Sequence, residues 1–210
     1  MAELKLQGIA KHYRRKAVLE GVSHVFTPGL TLLVGPSGAG KSTLLRVIAT
    51  AEKPSAGQIF WDGKPLPGAR KRLRRTLGYA PQAVDLPEDL TAREFAMHIA
   101  ALKGLALGAA DKQFAAITEA IGLHADINNR IATFSGGMRR RLIFAQALLG
   151  APQLLALDEP TAELDIDTAR KLSALILERA QTAVVIMTTH LADELAPSAT
   201  MLRVEGGSVT

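Results

Sequence analysis

Short apolar runs alternate along this chain with stretches in which apolar side chains recur at helical spacing. Residues 30–34 (Leu-Thr-Leu-Leu-Val) form a continuous, β-prone run suited to a strand buried on both faces. Residues 153–158 and 182–188 have the same character, and 77–80 is a shorter run that leads into Pro81-Gln82. Residues 4–13, 17–26 and 58–61 read as further strands, and a short β segment closes the chain. Helical spacing appears at Leu44, Leu45 and Ile48 within 41–50, and again at Leu142, Ala145 and Leu149. Residues 167–180 predict another helix, while 91–103 and 110–122 predict two Ala-rich helices separated by Gly104 and Gly108. The alternation predicts the α/β class with a mostly parallel, buried sheet, interrupted by a helical insert.

Length and charge narrow this picture. At 210 residues the chain fits one domain over 1–210, with the insert at about 83–133 inside it. There is no internal repeat and no low-complexity linker. The absence of cysteine excludes disulfides and cysteine-ligated zinc. Met-Ala-Glu-Leu-Lys-Leu at the start places charges where a secretory signal needs an apolar core. No apolar run approaches the ~18–20 residues that span a bilayer, and the stretch 99–110 is broken by Lys103. These features read as a soluble cytosolic chain without a membrane-spanning segment. The net charge of +5 comes mostly from basic clusters at 11–16, 70–75 and 139–141. Such clusters suit anionic lipid, nucleic acid or an acidic partner, or are simply solvated faces. With one Trp, two Tyr and six Phe, the chain is poor in the aromatic platforms that single-stranded nucleic acid stacks on.

The junction after 30–34 carries the first chemistry. Gly35, Pro36, Ser37, Gly38, Ala39, Gly40, Lys41, Ser42 and Thr43 fit the phosphate-binding pattern of Gly, four residues, then Gly-Lys-Ser. Between a strand and a helix, the glycines let successive N–H groups turn inward around an anion, and the helix N-terminus adds positive potential. Lys41 is placed to reach the β- and γ-phosphates, and the Ser42 hydroxyl to ligate Mg²⁺. Half a chain later, Phe134-Ser135-Gly136-Gly137-Met138-Arg139 opens a helix, a second arrangement of backbone N–H groups, hydroxyl and helix dipole suited to an anion. Leu154-Leu-Ala-Leu-Asp158-Glu159-Pro160 then ends a strand on two adjacent carboxylates.

Together these strings resemble the ATP-binding subunit of ABC transporters, from about Leu4 to the C-terminus. The resemblance implies a P-loop NTPase core with a mostly parallel sheet, an N-terminal antiparallel β part and an inserted α-helical subdomain. It implies ATP and Mg²⁺ as ligands, with Asp158 and Ser42 in the metal shell and Glu159 polarising the attacking water. His190, closing the apolar run at 183–190, matches the family's switch histidine, and Gln82 matches the glutamine that contacts metal or water. Tyr13 stands where members of the family stack an aromatic ring on adenine. His12, His24, His98 and His124 match no such position and read as structural or exposed. Ser135, Gly136, Gly137, Met138 and Asp165 correspond to contacts made with the nucleotide of a second subunit. The expected partners are therefore another ATPase subunit, in a homodimer, and a separately encoded transmembrane permease. No direct nucleic-acid binding is expected.

Departures from the family pattern are local. Met138 replaces a common glutamine, Glu163 a small residue, Ile166 a common proline, and Ile143 a frequent glycine read as a packing variation. Residues 77–82, 90–95 and 102–105 resemble exporter ATPases, so export rather than import is expected, with the chain in the cytoplasm and peripheral to the inner face of the membrane through the permease. A soluble ABC ATPase with a regulatory or nucleic-acid-associated role is the rival. That class typically inserts a coiled coil or a zinc module, and this chain has neither.

Overall fold

The computed structural model describes residues 2–83, 85–190 and 192–210; Val84, inside the expected insert, lies outside them. The chain opens with β1 (Leu4–Tyr13), β2 (Lys16–Phe26) and β3 (Gly29–Val34), followed by α1 (Lys41–Ile48), β4 (Ala56–Trp61) and β5 (Lys64–Pro65). A short helix α2 (Arg70–Arg75) precedes β6 (Leu77–Ala80), and α3 (Ala92–Lys103), α4 (Leu107–Ala120) and α5 (Gly136–Leu148) come next. The rest alternates: β7 (Leu154–Asp158), α6 (Ile166–Ala180), β8 (Val184–Thr188), α7 (Ala192–Leu195), β9 (Ala199–Glu205) and β10 (Ser208–Val209).

Two sheets result. A four-stranded antiparallel sheet runs β2-β1-β4-β5, and a six-stranded sheet runs β10-β9-β3-β8-β7-β6. Within the larger sheet β9, β3, β8, β7 and β6 pair in parallel, and only β10 is antiparallel. Both faces of this sheet are covered, which is why its strands read as unbroken apolar runs. Alternate residues divide between two cores. Leu154, Ala156, Val184 and Ile186 pack with α1 and the antiparallel sheet around the buried Trp61. Leu155, Leu157, Val185 and Met187 pack with Leu172 and Ile176 of α6, and with Leu142 and Phe144 of α5.

Helix boundaries follow local chemistry. Thr91 caps α3 through its side chain, and Glu94 returns the bond to the Thr91 backbone in a complete capping box. Gly104 ends α3 in the left-handed region, at φ 75°. Gly108 does not separate the two Ala-rich helices as expected; it lies inside α4, which starts at Leu107. The basic stretch 70–75 forms a helix whose Leu73 is buried and whose Arg74 turns back to donate to the side chain and carbonyl of Thr50 at 2.9 Å.

The parallel order places the carboxyl ends of β3, β6, β7 and β8 along one edge, where ligands of open α/β sheets bind. Residues 35–43 follow β3, Gln82 follows β6, Asp158 and Glu159 end β7, and His190 follows β8.

Candidate functional site

A cavity of about 560 Å³ opens at that edge. Its lining includes Gly35, Ser37, Gly38 and Gly40–Thr43 of the loop, with Gln82, Asp158, Glu159, Thr188 and His190. Four separate stretches of chain thus meet around one space.

The loop can form only with glycine at two positions. Gly35 has φ 143°, and a Cβ there would lie 2.1 Å from the Val204 carbonyl oxygen. Gly40 caps α1 at φ 105°, and a Cβ would lie 2.9 Å from the Val18 carbonyl oxygen. Lys41 Nζ folds back to donate to the carbonyl oxygens of Gly35 (2.7 Å) and Pro36 (2.9 Å). Pro36 and Ala39 face an adjoining cavity with Lys16 and Gly207.

Asp158 is 4% exposed, and its Oδ1 accepts from Thr188 Oγ1 (2.6 Å) and Ser42 Oγ (3.2 Å). The same Thr188 hydroxyl accepts from the Glu159 N–H at 3.0 Å. Thr188 was missed from sequence; it stands directly opposite Asp158 in the β7–β8 register. Ser42 and Asp158 bring a hydroxyl and a carboxylate together. That donor set fits Mg²⁺, which takes hard oxygens and needs only one or two carboxylates beside phosphate and water.

Glu159 sits in the left-handed region at φ 52° and is 9% exposed. Its Oε1 lies 3.5 Å from His190 Nε2, while its buried Oε2 makes no hydrogen bond among the described residues. Burial pushes its carboxyl above the usual range, the charge of Asp158 adds to that, and His190 and Lys41 oppose it. A poorly hydrated carboxylate at the wall of a cavity is equipped to orient a water and take its proton.

The remaining predicted residues lie elsewhere. Tyr13 is outside the lining of this cavity; its hydroxyl donates to Glu52 at 2.5 Å, and Lys11 Nζ lies 5.1 Å from its ring centroid. Ser135 caps α5, accepting from the Met138 N–H at 3.3 Å, and both Ser135 and Gly136 are exposed. Asp165 caps α6, accepting from the Thr168 N–H at 2.9 Å, and this bond holds its carboxyl below the ordinary range. Neither cap lines the cavity that holds the phosphate loop. The basic cluster at 139–141 is largely consumed internally: Arg139 pairs with Glu88, and Arg141 donates to the carbonyls of Ile121 and Gly122. Among the described residues no helix is long and apolar enough to cross a membrane.

The family model described as ABC transporter matches residues 19–162. The Nod factor export ATP-binding protein I of Rhizobium etli is 35% identical over 200 residues, 92% of this chain and 62% of that protein. The linearmycin resistance ATP-binding protein of Bacillus subtilis is 33% identical over 194 residues, 91% of this chain and 62% of that protein. The chain thus spans less than two thirds of the length of these relatives. Among solved structures, a dimeric ATP-binding cassette in a post-hydrolysis state with ADP and Pi superposes with a TM-score of 0.87 at 26% identity. That match covers 98% of this chain and 96% of the other.

Proposed function

This chain belongs to the ABC transporter ATP-binding family, and from that premise we propose that it binds and hydrolyses Mg-ATP to drive a separate transmembrane permease. One observation carries the reading: Lys41, Ser42, Gln82, Asp158, Glu159 and His190 converge on one cavity although they are scattered along the sequence.

The loop N–H groups and Lys41 hold the β- and γ-phosphates, Lys41 exchanging its carbonyl partners for phosphate oxygens. Ser42 and Asp158 would hold the metal, which would supply positive charge beside the phosphates. Glu159 takes the proton of the attacking water, His190 keeps the carboxylate oriented, and Gln82 contacts the same water or the metal. Tyr13 serves the adenine.

Ser135, Gly136, Gly137, Met138 and Asp165 complete the site of a second copy, so that two chains sandwich two nucleotides head to tail. The helical segment at about 83–133, a subdomain of a single ATPase domain over 1–210, faces the permease. This places the protein in the cytoplasm at the inner face of the membrane. The named roles of the two relatives, Nod factor export and linearmycin resistance, support outward transport.

Paired measurements test the assignment. Lys41→Ala removes charge-assisted bonds to phosphate, and ATP affinity by calorimetry should fall about ten- to hundredfold. Glu159→Gln should keep binding while phosphate release drops about 10²–10⁴-fold. Wild-type affinity in a folded Lys41→Ala protein, or wild-type turnover in Glu159→Gln, would remove the corresponding residue from the site.

A further inference from the structure

Three consecutive arginines lie in the first half of α5, and the middle one points at the catalytic end of the sheet. Arg140 Nη1 donates to two carbonyl oxygens, those of Gln82 (3.1 Å) and Glu159 (3.3 Å). Its Nη2 lies 3.7 Å from Glu163 Oε2. The Arg140 side chain is 13% exposed and that of Glu163 is 72% exposed. A long, solvated ion pair contributes little, so the charge-assisted bonds to the two carbonyls are the stronger contacts.

The bond to Glu159 falls where the backbone most needs support. A non-glycine residue at φ 52° is strained and persists only when its surroundings over-determine it. Thr188 holds the Glu159 N–H from one side, and Arg140 holds its carbonyl from the other. Because one Nη1 serves both carbonyls, the position of the Gln82 loop and the set of the Glu159 peptide are joined through a single guanidinium. Its own helix begins at Ser135-Gly136-Gly137, the segment assigned above to a second copy's nucleotide.

We infer that Arg140 is a positioning residue: it fixes the backbone that aims the Glu159 carboxylate and ties that aim to the Gln82 loop and to the signature helix. The inference rests on the reading of Glu159 as the base that activates water.

The test is a double-mutant cycle on the full chain, with Mg-ATP turnover, KM, ATP affinity and thermal unfolding measured for each variant. Arg140→Met should lower kcat about tenfold while KM and ATP affinity stay within about twofold. Arg140→Lys keeps the charge but not the planar fork, and should recover part of the loss, to about threefold below wild type. In the Glu159→Gln background Arg140→Met should cost nothing further, because the residue it aims is already disabled. Should Arg140→Met fail to fold, Arg140→Lys carries the same cycle. Unchanged kcat, a loss of kcat only in step with ATP affinity, or an equal loss in the Glu159→Gln background would each overturn the inference. The premise fails separately: if Glu159→Gln itself leaves turnover intact, Glu159 is not the base, whatever Arg140 does.

Discussion

At the scale of single residues, the proton on Glu159 is the quantity most open to measurement. Burial raises its pKa, Asp158 raises it further, and His190 and Lys41 pull it down without cancelling the rise. A base must be deprotonated to act, so the acid limb of kcat/KM should inflect above the usual glutamate range, about 4.3 for an exposed side chain. His190→Ala removes one opposing charge and should move that inflection further up. A pH–rate series covers both, and a limb at or below the exposed-glutamate value would contradict this account of the carboxylate. Lys41 and Ser42 were legible in the sequence from the glycine pattern that follows a strand, and Asp158, Glu159, His190 and Gln82 through the family resemblance that their motifs carry. Thr188 and Arg140 were not. The role of Thr188 depends on the register that sets it across from Asp158, and that of Arg140 on the rotation of α5 against two loops. The commitment of the Tyr13 hydroxyl to Glu52, in the turn after α1, was equally invisible.

Among the elements, strands were read to within two residues, most plainly in β7 and β8, where burial on both faces leaves an unbroken apolar run. Helix ends were read less well. The sequence placed the break between α3 and α4 at both Gly104 and Gly108, but only Gly104 takes a left-handed turn, and Gly108 is absorbed into α4. Besides the apolar core that α3 and α4 share with α5, polar side chains tie them to the end of that helix, and these were hidden in the sequence. Lys103 Nζ donates to the Leu149 carbonyl at 2.8 Å, and Gln113 accepts from the Gly150 N–H at 2.8 Å. Burial lowers the Lys103 pKa to about 8, so the unfolded chain holds this proton more tightly than the folded one. Stability from this group is therefore lowest below pH 8 and recovers as pH rises from there toward the ordinary lysine value near 10.4. Lys103→Met should stabilise the protein at pH 7 by on the order of 1–3 kcal/mol, the lost bond to Leu149 offsetting part of the gain. Its advantage over wild type should shrink toward pH 10. Thermal unfolding at the two pH values decides, and a constant difference would show that Lys103 is not buried as a cation.

For the whole molecule, the two glycine-bearing helix starts expected from the sequence to hold phosphate lie in different places. Lys41 lines the cavity, and Ser135–Gly137 sit at a helix end outside its lining. Both strings are readable in the sequence, but that they do not share one space is read from the fold. A mixing experiment follows. Chains carrying Lys41→Ala and chains carrying Gly136→Leu should each be inactive, yet a mixed dimer keeps one composite site and should regain part of wild-type turnover. Gly136 has room for the change, since a Cβ there would meet nothing nearer than Glu163 Oε2 at 3.9 Å. Mixtures that form dimers on Mg-ATP but stay inactive would argue against sites shared between chains. The hairpin of β9 and β10 adds one more property. β9 runs beside β3, the Val204 carbonyl abuts Gly35, and the Gly207 carbonyl accepts from the Glu20 N–H at 2.8 Å. The last two strands are thus a buttress behind the phosphate loop. Any side chain at Gly35 would have to displace the Val204 carbonyl, 2.1 Å from a Cβ there, so the bend that starts the phosphate loop is set as much by β9 as by the loop itself.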